Sequence, residues 1–231
     1  MKTLGMIGGL GPESTVDYYR LIVATYREQR PDGSYPVMII NNIDLQKILA
    51  FMGACDYDGL TGKIVRELEK LKKAGAEFGI IGSNTPHIAF DEIRRQSPIP
   101  LISIVEATCE KAHGMGLRKL GVFGSGFTMK ATFYADTFAR RGITVVAPDA
   151  TEQGFIHQKY MDELVHGTFR PETRAELLQI AERMKKEDGI QGLILGGTEL
   201  PLILREAQDC GIPFLDTARI HVDAAVKEML S

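Results

Sequence analysis

Leu4-Gly5-Met6-Ile7-Gly8-Gly9 and Leu120-Gly121-Val122-Phe123-Gly124-Ser125 decide the fold. Each is a short apolar run that ends in small residues. Neither alternates polar with apolar, the pattern of a parallel strand covered on both faces. A second pair follows the first: Ile80-Ile81-Gly82-Ser83-Asn84-Thr85 and Leu193-Ile194-Leu195-Gly196-Gly197-Thr198. Both pairs are about 115 residues apart, so the chain reads as two similar halves. That any two strands of an α/β protein look alike does not account for the matched spacing.

Outward from these runs, strands are also expected at Val37–Asn41, Phe78–Gly82, Leu101–Ile104, Thr144–Ala147 and Phe214–Asp216, with the quoted runs giving Leu4–Gly8, Leu120–Gly124 and Leu193–Gly196. Helical patterns lie between them. Gly59–Ala74 places Leu60, Ile64, Leu68 and Leu71 on one stripe and ends in Lys72, Lys73 and Gly75, which suit a helix C-terminus. Strand–helix alternation implies βαβ units and an α/β fold of two pseudo-symmetric halves, each a parallel sheet flanked by helices. The halves are expected at 1–116 and 117–231, with the last helix, Thr217–Leu230, crossing back onto the first. Ligands of open α/β sheets bind beyond the strand C-termini, which predicts a cleft between the halves with Ser83 and Gly197 facing one another.

The 231 residues (25.5 kDa) carry 27 Lys+Arg against 30 Asp+Glu, a net charge of -3 and a pI near 6.0. That balance gives no basis for a nucleic-acid or anionic-membrane partner. With 44% hydrophobic and 25% charged residues the chain is of ordinary globular composition. No apolar run reaches the roughly 20 residues of a membrane span, and the N-terminus reads as a strand instead of a signal peptide, so the expected location is the cytoplasm. Cys55, Cys109 and Cys210 are odd in number and widely spaced, which suggests neither disulfides nor a metal site.

Chemistry-bearing residues cluster at the strand ends. Gly8-Gly9-Leu10-Gly11-Pro12-Glu13-Ser14-Thr15 opens a helix, and its glycines would let backbone N–H groups approach a small carboxylate; the alternative is a plain β–α turn. It is neither G-x-G-x-x-G nor a P-loop. Asn84 and Thr85 are either ligand donors or an N-cap arrangement, and Ser125, Thr128 and Thr198 offer further hydroxyls. Glu199 is either a site carboxylate or a first-turn acid favoured by the helix dipole. His87 and His166 are candidate bases at neutral pH, with a structural hydrogen bond as the alternative for His87. His113, His157 and His221 belong to no motif and are expected at the surface or lining helices.

Gly8-Gly9-Leu10-Gly11-Pro12-Glu13-Ser14-Thr15, Ser83-Asn84-Thr85-Pro86-His87 and Leu195-Gly196-Gly197-Thr198-Glu199 together resemble the aspartate/glutamate racemase family, over essentially the whole chain. The resemblance implies two α/β halves with an active site between them, a homodimer, a small amino-acid or dicarboxylate substrate, and no pyridoxal phosphate, other cofactor or metal. In that family two thiols, one from each half, exchange the α-proton from opposite sides of the substrate. The resemblance places them at positions 83 and 197, where this chain has Ser83 and Gly197. It also places a substrate-binding lysine at the position of His166.

Both thiols are therefore missing. A serine hydroxyl ionises far above a thiol's pKa of about 8.5, and glycine carries no proton at all. The expected function is a family isomerase that moves an α-proton with other groups. The alternatives are a protein that binds the amino acid without turning it over, and a one-sided proton-transfer enzyme of decarboxylase or lyase type. Catalytic candidates are Ser83, Gly197, His87, Glu199 and His166. Substrate-binding candidates are Gly8, Gly9, Gly11, Asn84, Thr85, Ser125, Thr128, His166 and Thr198.

Overall fold

The computed structural model describes residues 1–204 and 210–231. It contains strands β1 (Leu4–Gly8), β2 (Met38–Asn42), β3 (Phe78–Ile81), β4 (Leu101–Ile102), β5 (Lys119–Gly124), β6 (Thr144–Val146), β7 (Gly192–Gly196) and β8 (Phe214–Asp216). The α-helices among the described residues are α1 (Pro12–Gln29), α2 (Leu45–Gly53), α3 (Tyr57–Lys73), α4 (Phe90–Gln96), α5 (Ile104–Gly114), α6 (Gly126–Lys130), α7 (Phe133–Ala139), α8 (Ala150–Asp162), α9 (Pro171–Arg183), α10 (Leu200–Ile203) and α11 (Thr217–Leu230). Every strand expected from the sequence is present. The largest shortening is at β4, where Ile104 already begins α5.

The chain divides into two compact units, Met1–Ala107 with Ala218–Ser231, and Thr108–Thr217. The division falls inside α5, ahead of the expected Gly116–Leu117 boundary, because a continuous helix carries the chain from one unit to the next and no loop marks the change. Almost all of α11 counts with the first unit.

In the first unit the sheet is all parallel, in the order β2-β1-β3-β4. Tyr18, Ile22 and Tyr26 recur at four-residue spacing on α1 and are sealed against Leu4, Met6 and Ile80, with Val222, Ala225 and Val226 of α11 in the same core. On α3, Leu60, Ile64, Leu68 and Leu71 are buried as the stripe predicts, and Gly75 takes the left-handed conformation (φ 103°) that ends it.

The second unit repeats this plan, with a parallel sheet in the order β6-β5-β7-β8. Its core joins Phe123, Leu193 and Leu195 of the strands to Ile156 of α8 and Leu177 and Ala181 of α9. Equivalent strands carry equivalent motifs. In the first unit Ile7 pairs with Ile81, so the loops after β1 and β3 emerge side by side. In the second, Gly124 pairs with Gly196, so Ser125 and Gly197 emerge side by side.

Candidate active site

The loop after β1 is tied to itself. Gly9 adopts φ 78°, and a Cβ there would lie 2.7 Å from Asn42 Oδ1, so only glycine fits. The Gly9 N–H donates to Thr15 Oγ1 (2.9 Å), while Ser14 Oγ and Thr15 Oγ1 donate to the Gly11 carbonyl (2.9 and 3.0 Å). The amide expected to greet a carboxylate is thus occupied within the loop. Gly8 lies inside β1, and Gly11 begins α1 without a side-chain cap, followed by Pro12, which has no N–H.

After β3 the chain runs through half-buried Ser83, buried Asn84 and half-buried Thr85 into a single 3₁₀ turn, Thr85–Ala89. Asn84 makes no side-chain cap to that turn. His87 lies inside the protein, 3% exposed, stacked on Phe90 at 4.6 Å between ring centres. Its Nδ1 bonds the Ser83 carbonyl (3.0 Å) and its Nε2 bonds the Ile104 N–H (3.3 Å). A carbonyl only accepts and an amide N–H only donates, so Nδ1 carries the proton and Nε2 is the acceptor.

Burial, aided by the neighbouring His221, lowers the His87 pKa to about 3. The histidine offered by the sequence as a neutral-pH base is instead a neutral brace that fixes the Ser83 backbone to the start of α5. His221, expected at the surface or along a helix, is fully buried. Its Nε2 donates to the Ile102 carbonyl (3.0 Å), its Nδ1 accepts the Tyr18 hydroxyl (2.9 Å), and burial lowers its pKa to about 4.

The strand ends of the second unit differ. Ser125 caps α6, accepting the Thr128 N–H (3.3 Å), and its hydroxyl lies 3.2 Å from that of Thr128, so this pair serves a helix start. His157 of α8, outside every motif, accepts the Gly126 N–H through Nδ1 (3.0 Å). After β7, Gly197 leads to Thr198 (2% exposed) and Glu199 (0% exposed). Glu199 is a buried carboxylate, not a solvated first-turn acid. Its Oε2 accepts the Thr198 hydroxyl (3.1 Å) and the hydroxyl of Tyr160 from α8. Burial and the adjacent Glu199 hold the Tyr160 pKa well above its ordinary value.

Tyr160 also accounts for Gly197. A Cβ at position 197 would lie 2.9 Å from Tyr160 Cζ and 3.0 Å from its hydroxyl oxygen, and closer still to ring atom Cε2. Gly197 does not use the left-handed backbone region, so the phenol, not the main chain, keeps position 197 bare.

Sequence reasoning missed Tyr160. The only available signal was its place four residues after Ile156 on the buried face of α8, which marks a core residue and gives no hint of Glu199. His166 is exposed and ends the turn Leu164–His166 before Gly167 (φ 71°). Cys55 is exposed in the turn between α2 and α3, whereas Cys109 and Cys210 are buried. Among the described residues no group of three His, Cys, Asp or Glu side chains could hold a metal ion, and no helix is long and apolar enough to cross a membrane.

The family model for Asp/Glu/hydantoin racemase matches residues 7–225. The broad specificity amino-acid racemase RacX of Bacillus subtilis is 23% identical over 239 residues, covering 99% of this chain and 98% of that protein. Among solved structures, a candidate Asp/Glu racemase from Yersinia pestis superposes with a TM-score of 0.90 at 31% identity, and an aspartate racemase homologue from Pyrococcus horikoshii with 0.86 at 32%. Both comparisons cover 100% of each chain. The chain belongs to the Asp/Glu/hydantoin racemase family.

Proposed function

We propose that the protein is a cofactor-independent isomerase that moves the α-proton of a small amino acid or dicarboxylate, with groups other than thiols at positions 83 and 197. The observation that carries this reading is the repeated placement of the two motifs. Ser83-Asn84-Thr85 and Gly197-Thr198-Glu199 follow equivalent central strands, each at the carboxyl edge of a parallel sheet, where α/β proteins hold their ligands. The family match over residues 7–225 supports the substrate class. Asn84 and Thr85 are the donors assigned to the substrate carboxylate, since the Thr198 hydroxyl is turned to Glu199, and His166 takes the position of the family's lysine.

A second reading, one-sided proton transfer of decarboxylase or lyase type, is favoured by the asymmetry of the two strand ends. His87 faces the Ser83 carbonyl, not its hydroxyl, so nothing in that contact activates the serine. Glu199 and Tyr160 form an acid–base pair in the second unit.

Incubation with L- and D-aspartate and L- and D-glutamate in D₂O separates the readings. Deuterium at Cα with inversion supports the isomerase, and deuterium with retention supports one-sided transfer. A ligand-induced rise in melting temperature with no exchange supports binding alone and overturns both. The homodimer is part of the same proposal, and light scattering coupled to gel filtration tests it against a 25.5 kDa monomer.

A further inference from the structure

We propose that Tyr160, coupled to Glu199, is the proton-carrying group at position 197, in place of a side chain that Gly197 does not have. This rests on the α-proton reading above and adds a catalytic residue that belongs to none of the strand-end motifs.

Three observations converge. The Tyr160 hydroxyl oxygen lies 3.0 Å from where a Cβ of residue 197 would sit, so it occupies the space that a short side chain there would use. The phenol is bonded to a carboxylate that is 0% exposed, and the Thr198 hydroxyl bonds the same carboxylate oxygen. The group stands at the carboxyl end of β7, in the middle of a parallel sheet. A buried carboxylate bonded to a buried phenol is costly to maintain for packing alone, and such pairs concentrate at functional sites.

The pair moves a proton without forming a phenolate, which burial and the adjacent carboxylate disfavour. To remove the α-proton, the Cα–H bond breaks and its electron pair stays with the substrate as a carbanion delocalised into its carboxylate. The proton passes to the Tyr160 oxygen as the phenol's own proton passes to Glu199 Oε2. The negative charge thereby moves from Glu199 to the substrate, and Tyr160 is neutral before and after. Delivery is the reverse: the carbanion takes the phenol proton and Glu199 returns its own. Solvent deuterium reaches Cα when the proton taken up on the Tyr160 oxygen is replaced by deuterium from water before delivery. Gly197 is then a requirement of the device, since any Cβ would push the phenol out.

The test is Tyr160→Phe, which keeps the ring and deletes the hydroxyl, with Glu199→Gln beside it. Both are compared with the parent chain for deuterium wash-in at Cα of L- and D-aspartate, L- and D-glutamate and L-alanine. Thermal shift with the same amino acids measures binding. The expected result is a loss of about 10²–10⁴-fold in exchange in each variant, with the thermal shift retained. A folded Tyr160→Phe chain whose exchange stays within threefold of the parent overturns the proposal and leaves the α-proton reading standing. A parent chain that washes no deuterium into any of the five amino acids overturns both. Should Tyr160→Phe fail to fold, Glu199→Gln decides: undiminished exchange overturns the relay, and loss with retained binding upholds it.

Discussion

The two units answer the same topological question differently. Each sends a motif out of a central strand, Ser83-Asn84-Thr85 after β3 and Gly197-Thr198-Glu199 after β7. Behind the first stands an imidazole with both nitrogens bound to backbone. Behind the second stands a phenol bound to a carboxylate. The first arrangement locks a backbone, its one imidazole proton held on the Ser83 carbonyl. The second sets a titratable pair beside a bare glycine. On the proposed reading, proton chemistry at a strand end depends on the side chain delivered from the neighbouring helix as much as on the strand-end residue.

The sharpest way to break this comparison is to crowd position 197. Tyr160→Ala empties a buried aromatic site and should cost about 3–5 kcal/mol of unfolding free energy. Gly197→Cys should cost about 1–3 kcal/mol, because the new side chain overlaps the Tyr160 ring. If the clash is the cause, the double variant should be more stable than the summed costs predict, the sulfur filling part of the emptied space. Denaturant melts of the four chains measure this coupling. Strict additivity would show that position 197 is bare for another reason.

Acid should separate the histidine-braced unit from the rest. His87 and His221 are held neutral in the fold, with pKa values lowered to about 3 and about 4, whereas an unfolded histidine titrates near 6.5. The unfolded chain therefore binds protons that the folded chain refuses. Stability is full above the unfolded pKa and falls as pH drops toward 4, at roughly 1.4 kcal/mol per pH unit for each imidazole well below pH 6.5. Unfolding free energies measured from pH 7 to 4.5 check this. His221→Gln should flatten the slope, and an unchanged slope would mean that His221 is not the group responsible.

Much of this was legible beforehand, and the exceptions have physical causes. Strands such as Leu4–Gly8 and Phe214–Asp216 were readable because parallel strands are unbroken apolar runs. The α3 stripe was readable because helical periodicity names its buried face. The role of His87 was not, since a histidine's task is set by partners such as Ile104 that only the folded chain brings within reach. Tyr160 was invisible for the same reason, lying 39 positions from the carboxylate it bonds. The Gly8–Gly11 loop is a different case. Its glycines signal close approach correctly, but Gly9 approaches Asn42 and the Ile43 carbonyl of its own unit, and Thr15 takes its amide.

That loop supplies the next prediction. Thr15→Val removes the hydroxyl that accepts from Gly9 and donates to Gly11 while keeping the β-branched shape. The expected cost is about 0.5–1.5 kcal/mol for a part-buried hydrogen bond, read as a fall in melting temperature. The freed Gly9 amide could then meet a carboxylate, so the variant's thermal shift with aspartate should not shrink. A smaller shift would mean that Thr15 shapes the ligand site as well as the loop.

Ser83→Cys should have the smallest effect and bears most directly on the contrast between units. Ser83 is half-buried, it lies outside the left-handed backbone region, and the contact that fixes it to His87 uses its carbonyl. Exchanging oxygen for sulfur leaves that brace untouched, so the cost should stay within roughly 0.5 kcal/mol, or about 1–2 °C in a chain of this size. The same thiol at position 197 meets a buried aromatic ring and should cost several times more. Parallel thermal melts of the two single variants therefore compare the room at the two strand ends with identical chemistry. If Ser83→Cys destabilises as much as Gly197→Cys, the first strand end is as crowded as the second and the contrast drawn from Tyr160 fails. If the difference holds, a thiol can enter the first unit unaided, whereas the second accepts one only once Tyr160 has been cut back.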